Sequence, residues 1–350
     1  MVLLSQEVIL PHHKKALMHI ILLGIKKKNI HKIIYFLAIV GALIGQGQEQ
    51  TVGLFLNTPA AAPGYTLFAP MSYNVTYLID NNGELVQSWP SEYGPGLSVY
   101  ILENGDLLRT RRLQGQLFQT GGRGGGVEII DWDGNLIWEF DYFSNQFWQH
   151  HDIESLPNGN ILLIAWEHKT DAEAIANGRN PILLGGSSQP FGFWPDHIIE
   201  VDPYSNSVVW EWHVWDHIIQ DNDSSKANYG VVSNHPELVN INYPIGPNTE
   251  GGDWLHINAV DYNAELDQIM LSVHHFGEIW IIDHSTTTAE AASHSGGNSG
   301  KGGDLLYRWG NPQAYIGGNS NERIFFGQHD ARWIENGSKI MVFNNGSGRP

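Results

Sequence analysis

From about residue 65 onward the chain alternates two short segments, and this alternation limits the possible folds more than any other feature. The first segment is a strand ending in Ile-Asp or Val-Asp, a turn, and a strand with aromatics at spacing two. It reads Y-L-I-D-N-N-G-E-L-V-Q-S-W at 77–89, V-E-I-I-D-W-D-G-N-L-I-W-E-F at 127–140 and I-I-E-V-D-P-Y-S-N-S-V-V-W-E-W at 198–212. A fourth copy, I-W-I-I-D at 279–283, meets its partner L-L-Y-R-W at 305–309 after an insertion. The second segment is a short strand, a turn usually built on Asn-Gly, and an apolar strand. Its copies begin at Ser98, His151, His256 and His329. Period-two patterning around Asn-Gly and Asp-Gly turns marks antiparallel hairpins. Joined, the two segments make a four-stranded antiparallel unit.

Radial repetition of such units is a β-propeller, so the expected fold is all-β with four-stranded antiparallel blades over 65–350. About four blades' worth of repeats is present. The first unit has only its terminal pair and the last only its initial pair. These halves either close one composite blade or, the favoured reading, belong to a C-terminally truncated propeller. Trp89, Phe140, Trp212 and Trp309 fall at equivalent places and are expected to pack between sheets rather than to cage a ligand.

The second segment carries the chemistry. His329 lies eight residues before Gly337, and His151 lies eight before Gly159. His256 opens a slightly longer copy. Leu97 takes the corresponding place before Gly105, so the repeat can be built without a histidine there. If the second segment supplies the inner strands, radial symmetry brings His151, His256 and His329 to one central channel. The bland alternative is that these histidines cap or hydrogen-bond strand starts. His150, next to His151, is expected to point the other way along its strand and to be structural. His197, His213, His217, His235, His284 and His294 read as surface or packing residues.

Composition narrows the possible partners. Net charge is −18; residues 1–47 hold six Lys and one Glu, which leaves about −23 on the remainder. A body this acidic repels phosphate backbones and excludes nucleic acid. Lys26–Lys28 and Lys32 precede the apolar run Ile33–Ile44 and small residues, the pattern of an export signal. Residues 1–47 are therefore expected to be a signal peptide or, given a second apolar patch at Ala16–Ile25, a signal-anchor. Residues 48–64 form a linker. With no stable membrane span after signal removal, the body is expected to be periplasmic or secreted. The chain has no cysteine, which excludes thiolate metal sites, a Cys nucleophile and disulfides.

Insertions interrupt the repeat. Residues 166–196 and Asp216–Lys226 have helical character, and 284–304 is rich in Gly and Ser. Gly300-Lys301-Gly302-Gly303 is no P-loop, because Ser295 and Gly302 stand where that motif needs Gly and Ser/Thr. Three converging imidazoles suit several chemistries. Neutral histidine binds Zn, Cu or Fe, but no H-x-x-x-H or H-E-x-x-H pattern accompanies these residues, and a G-x-S-x-G elbow is missing. A histidine nucleophile that holds a sulfuryl or phosphoryl group transiently is the more specific idea.

The ordered motifs H-H-D-I-E-S-L-P-N-G-N, W-P-D-H-I-I-E-V-D-P, V-V-W-E-W-H-V-W-D-H, D-W-L-H-I-N-A-V-D-Y-N and F-G-Q-H-D-A-R-W resemble the bacterial arylsulfate sulfotransferases over about 65–350. The resemblance implies a six-bladed propeller that moves sulfate from a phenolic sulfate ester to a phenolic acceptor. It does so through a sulfohistidine, by ping-pong kinetics, with no nucleotide sulfate donor and no cofactor. On that pattern His329 matches the nucleophile, and His151 and His256 match the assisting histidines. His274 stands where the family places an arginine, with His275 beside it. Two rival readings are a non-catalytic propeller that binds a ligand or protein through W-E-W-H-V-W-D-H and, on V-D-P-Y-S-N-S-V-V-W-E-W, a quinoprotein-like propeller.

Overall fold

A computed structural model describes residues 53–115, 117–184, 192–244 and 252–349. The expected signal segment, residues 1–47, lies outside the described residues. The chain divides into two compact units. The smaller comprises residues up to Thr66 together with Leu78–Val86, and the larger holds Leu67–Tyr77 and everything from Gln87 onward. In the smaller unit Asn57 Nδ2 donates to the Asn81 carbonyl at 2.9 Å, and Asn81 Nδ2 donates to the Ala62 carbonyl at 2.7 Å.

The fold is all-β and is assembled from propeller blades. Strands β1 (Tyr65–Phe68), β2 (Val75–Asp80) and β3 (Leu85–Pro90) form the first sheet. The first complete blade is β4 (Pro95–Ile101), β5 (Leu107–Arg112), β6 (Gly125–Ile130) and β7 (Leu136–Asp141), in that order. The second is β8 (Phe147–Ser155), β9 (Ile161–Glu167), β10 (Asp196–Asp202) and β11 (Ser207–His213). A short parallel pair, β12 (Ile218–Ile219) and β13 (Val239–Asn240), precedes the third blade. That blade is β14 (Ile257–Asn263), β15 (Gln268–Val273), β16 (Glu278–Asp283) and β17 (Tyr307–Trp309). Strands β18 (Gln328–Ile334) and β19 (Lys339–Asn344) make a two-stranded sheet.

Burial follows the position of each strand in its blade. The second strands β9 and β15 have apolar runs, I-L-L-I-A-W and I-M-L-S-V, that are buried throughout, because both faces meet neighbouring sheets. Strand β7 is largely exposed, as expected of an outer edge. The hairpin turns need left-handed backbone, and Gly105, Gly134 and Gly159 supply it with φ of +91°, +90° and +87°. Asn206 and Asp267 take the same conformation in the other turns, at φ of +53° and +51°.

Side chains of one blade bond to the turns of the next. Trp89 Nε1 donates to the Asp131 carbonyl at 2.9 Å, Trp138 Nε1 to Asn206 Oδ1 at 3.1 Å and Trp210 Nε1 to Thr286 Oγ1 at 3.2 Å. Trp89 and Trp212 are fully buried, and Phe140 packs against the cluster between the first two blades. Trp309 differs, being 43% exposed. The described sheet packed beside its blade has only β18 and β19, which leaves the outer strand uncovered.

The first strands of the blades lie side by side, joined through Asp152 of β8. Its Oδ1 accepts from Ser98 Oγ (2.7 Å) and Tyr100 OH (2.5 Å) of β4. Its Oδ2 accepts from the Val260 N–H of β14 (3.2 Å) and from Arg332 Nη2 of β18 (3.0 Å). Asn258 Nδ2 of β14 also reaches the Gln328 carbonyl of β18 at 2.9 Å. The histidine-bearing segment therefore does form the inner strands.

The insertions depart from their sequence reading in two places. Asp216–Lys226 is not helical beyond the 3-10 turn Val214–His217, because side chains of the polar D-N-D-S-S run take the backbone donors. Asp223 Oδ1 accepts from the Ser225 N–H, and Gln220 Oε1 accepts from those of Asn222 and Asp223. Besides the helix α1 (Asp171–Ala176), a second, α2 (Thr288–Ala291), stands in the Gly/Ser-rich stretch. It is nucleated by a capping box between Thr287 and Glu290. The W-E-W-H-V-W-D-H region offers little docking surface, since Trp210, Trp212, Val214 and His217 are all buried.

Candidate active site

Each inner strand carries a bulge that breaks its regular pairing, and the site is built on these bulges. Pairing slips between Gln149 and Ile153 on β8, between Ile257 and Ala259 on β14, and between His329 and Arg332 on β18. His151 and Asp330 lie within their bulges and His256 just before its own, and all three adopt left-handed backbone, with φ of +50°, +50° and +54°. Leu97 does the same on β4 at +91°. Non-glycine residues in this region are uncommon and costly, and bulges re-aim side chains at sites. In the fourth copy the eight-residue count is off by one. Asp330 takes the left-handed place, and His329 stays on the strand opposite Phe343, because the turn between Ile334 and Lys339 is one residue shorter than that between Ser155 and Ile161.

The structure brings all four candidate histidines into one row. The His151 and His256 ring centroids are 4.4 Å apart, His256 and His274 5.2 Å, and His274 and His329 5.2 Å. His274 directly follows β15, and its N–H donates to the His256 carbonyl at 3.3 Å. His275 lies against His256 with centroids 4.9 Å apart. Gly122 allows the approach on the other side. Its carbonyl accepts the His151 N–H at 2.7 Å, and a Cβ there would come within 1.9 Å of the His151 ring.

Hydrogen bonds indicate which nitrogen of each ring carries a proton. His329 Nδ1 lies 3.1 Å from the Gly327 carbonyl, which can only accept, so Nδ1 carries the proton and Nε2 the lone pair. His256 Nδ1 lies 2.5 Å from Asp253 Oδ2 and donates to it. His150 contradicts the expectation that it faces away: its Nδ1 is 2.8 Å from His151 Nδ1, since the left-handed kink at His151 breaks strand alternation. The other nitrogen of His150, Nε2, is 2.7 Å from Asp196 Oδ1.

Two buried carboxylates behind the row are driven apart. Burial and the neighbouring Asp253 charge push Asp196 well above the usual carboxylate range. Burial opposes ionisation of Asp253 as well, but the charge and hydrogen bond of His256 outweigh it and hold Asp253 below that range. Burial keeps His150 neutral, and burial together with the surrounding imidazoles does the same for His151. With Asp196 protonated, the state its burial favours, its O–H donates to His150 Nε2, and His150 Nδ1–H donates to His151 Nδ1. His151 Nε2 then carries the remaining proton as a donor.

The sequence matches the arylsulfotransferase (ASST) family model over residues 56–350. The chain belongs to the arylsulfotransferase family. No curated protein matches it significantly. Among solved structures it is similar to a protein of unknown function from Bacteroides caccae, with 13% identity, a TM-score of 0.42, and 80% of this chain and 65% of that one covered. It is also similar to the hydrazine synthase of Kuenenia stuttgartiensis, with 12% identity, a TM-score of 0.43, and 80% and 68% covered. The chain thus spans about two thirds of the length of these proteins, and likeness at this level says nothing of what it binds. Among the described residues no helix is long and apolar enough to cross a membrane.

Sequence reading of this arylsulfotransferase missed Asp253 and Asp196. Asp253 precedes His256 by three residues in D-W-L-H, a local pairing that spacing could have flagged. Asp196 reaches His150 from 46 residues away and leaves no such trace.

One further buried imidazole makes folding pH-dependent. His197 lies in contact with Tyr142 OH (3.0 Å) and stacks on His213; burial, aided by His213, pushes it down to about 3. Its folded pKa is below its unfolded value, so the stability it contributes is full above about pH 6.5 and is lost as pH falls. Between pH 7 and pH 5 the loss from His197 is about 2 kcal/mol. His197→Gln, which keeps a polar partner for Tyr142 and cannot titrate, is expected to show that much less acid destabilisation than wild type in urea unfolding. Equal pH dependence in the two proteins would refute this reading.

Proposed function

We propose that this arylsulfotransferase moves a sulfuryl group from a phenolic sulfate ester to a phenolic acceptor through a sulfohistidine on His329. The observation that carries the reading is the Nδ1–H bond from His329 to Gly327, which leaves the Nε2 lone pair free to attack. Nε2 attacks sulfur as the S–O bond to the aryl group breaks, and the electron pair leaves on the phenolate. Charge builds on the sulfuryl and leaving oxygens, so positioned donors lower the barrier. His151 Nε2–H supplies one such donor, and His274, beside His329, supplies another. His256, whose ring is held by the Nδ1–H bond to Asp253, delivers a proton to the departing phenolate. In the second half, neutral His256 takes the proton of the acceptor phenol, whose oxygen attacks sulfur and breaks the S–N bond. An exported, periplasmic or secreted setting fits the basic and apolar N-terminal pattern.

The test is incubation with 4-nitrophenyl sulfate. Nitrophenol release should depend on added phenol, and donor alone should leave a sulfuryl-mass adduct on the peptide that contains His329. Turnover with no such adduct would exclude the covalent route. Asp253 acts through His256 as a positioning residue. Asp253→Asn is expected to lower kcat at least about 10²-fold and to shift the pH profile of kcat, with KM for the donor nearly unchanged. A loss confined to KM would count against the Asp253–His256 pairing.

A further inference from the structure

Away from the histidine row, three ligand-type side chains converge in the insertion between β16 and β17. His217 Nδ1 lies 2.8 Å from Asp304 Oδ1, and His294 Nδ1 lies 2.7 Å from the same oxygen. All three donor atoms fall within 4.8 Å of one another. His217 is fully buried and stacks on Trp212 with centroids 5.8 Å apart. Its Nε2 lies 2.8 Å from the Ala291 carbonyl, which can only accept. Nε2 must therefore carry a proton, and in neutral imidazole that leaves a lone pair on Nδ1. That lone pair faces a carboxylate oxygen at hydrogen-bonding distance, an arrangement that repels unless a cation stands between them. A proton on Nδ1 would relieve this, and so would a metal ion, which can also take the second imidazole aimed at the same oxygen.

We propose that His217, His294 and Asp304 bind a divalent first-row cation, Zn²⁺ by ligand type, which pins the 284–304 segment to the turn that follows β11. Two imidazoles and one carboxylate are a common three-residue Zn²⁺ set, and bond lengths of about 2.0–2.2 Å would ask Asp304 to draw back by only some tenths of an ångström. A carbonyl that holds the remote N–H of a ligating histidine is the usual outer contact of such sites, and Ala291 supplies it. The backbone that places Asp304 is itself fixed. Trp212 Nε1 donates to the Gly303 carbonyl at 2.7 Å, and a Cβ on Gly303 would sit 2.5 Å from His217 Nε2, so only glycine passes there. The His294 side chain is 63% exposed, which leaves the fourth position open to water and the ion a route in. None of these residues touches the histidine row.

The experiment compares the whole chain with its His294→Ala variant, which removes an exposed ligand and should fold. Each is dialysed against micromolar Zn²⁺, bound metal is counted, and thermal unfolding is followed with and without Zn²⁺. Wild type should bind one more Zn²⁺ per chain than the variant, and Zn²⁺ should raise its unfolding temperature more. Affinity at this site should fall about tenfold or more in the variant. Asp304→Asn should behave as His294→Ala does, whereas His256→Ala should keep the site. Equal Zn²⁺ stoichiometry in wild type and His294→Ala, including none in either, would overturn the proposal.

Discussion

His329→Ala is expected to reduce acceptor-dependent release of nitrophenol from 4-nitrophenyl sulfate by at least about 10³-fold, because the variant loses the atom that accepts sulfur. Circular dichroism should be unchanged, since the side chain is only partly buried and its strand is held by other contacts: Gln328 Nε2 donates to the Val273 and Glu278 carbonyls at 2.9 and 3.0 Å. Free imidazole should restore part of the turnover by occupying the vacated space, which distinguishes a lost nucleophile from a general disturbance. The neighbouring rings make a graded comparison. His151→Ala and His274→Ala remove donors and should cost less than His329→Ala. Wild-type turnover in His329→Ala would move the nucleophile elsewhere, and equal losses at all four histidines would point to a shared structural role.

Arg332→Leu is expected to destabilise the fold by about 3–5 kcal/mol, the cost of leaving buried charges unpaired. Arg332 belongs to β18 but joins four inner strands. Nη1 donates to Glu154 Oε2 of β8 at 2.8 Å and to the Val260 carbonyl of β14 at 3.1 Å, and Nη2 donates to Asp152 of β8 at 3.0 Å. Nη2 also bonds Tyr100 OH of β4, and the guanidinium lies 5.3 Å from the centre of that ring. Its side chain is 18% exposed, so solvent screens these contacts poorly. Arg332→Lys should recover little, because an ammonium cannot meet planar partners on several strands at once. Urea unfolding gives the measurement; a change below about 1 kcal/mol, the size typical of surface pairs, would mean that the inner strands hold together without this hub.

The blade pattern was legible because it is local. Alternating aromatics and Asn-Gly turns fix hairpins within about fifteen residues, and β4–β7, β8–β11 and β14–β17 follow those limits closely. A capping box in T-T-A-E overruled the Gly/Ser-rich composition around it, and the W-E-W-H-V-W-D-H aromatics lie inward because the next blade covers them. The departures share a cause: the deciding hydrogen bonds come from neighbours that a composition window does not weigh.

At the site the division is sharper. The sequence by itself brought His151, His256 and His329 together, since a radial repeat carries the same strand of every blade toward one axis; His274 follows a second strand and was placed only by the family resemblance. Only the tertiary structure decided which nitrogen each ring presents. Gly327 sets His329, Asp253 sets His256, and Asp196 sets His151 through His150. A tautomer is chosen by whichever acceptor lies within about 3 Å. Distances of that kind between segments far apart in the chain exist only once the blades have packed.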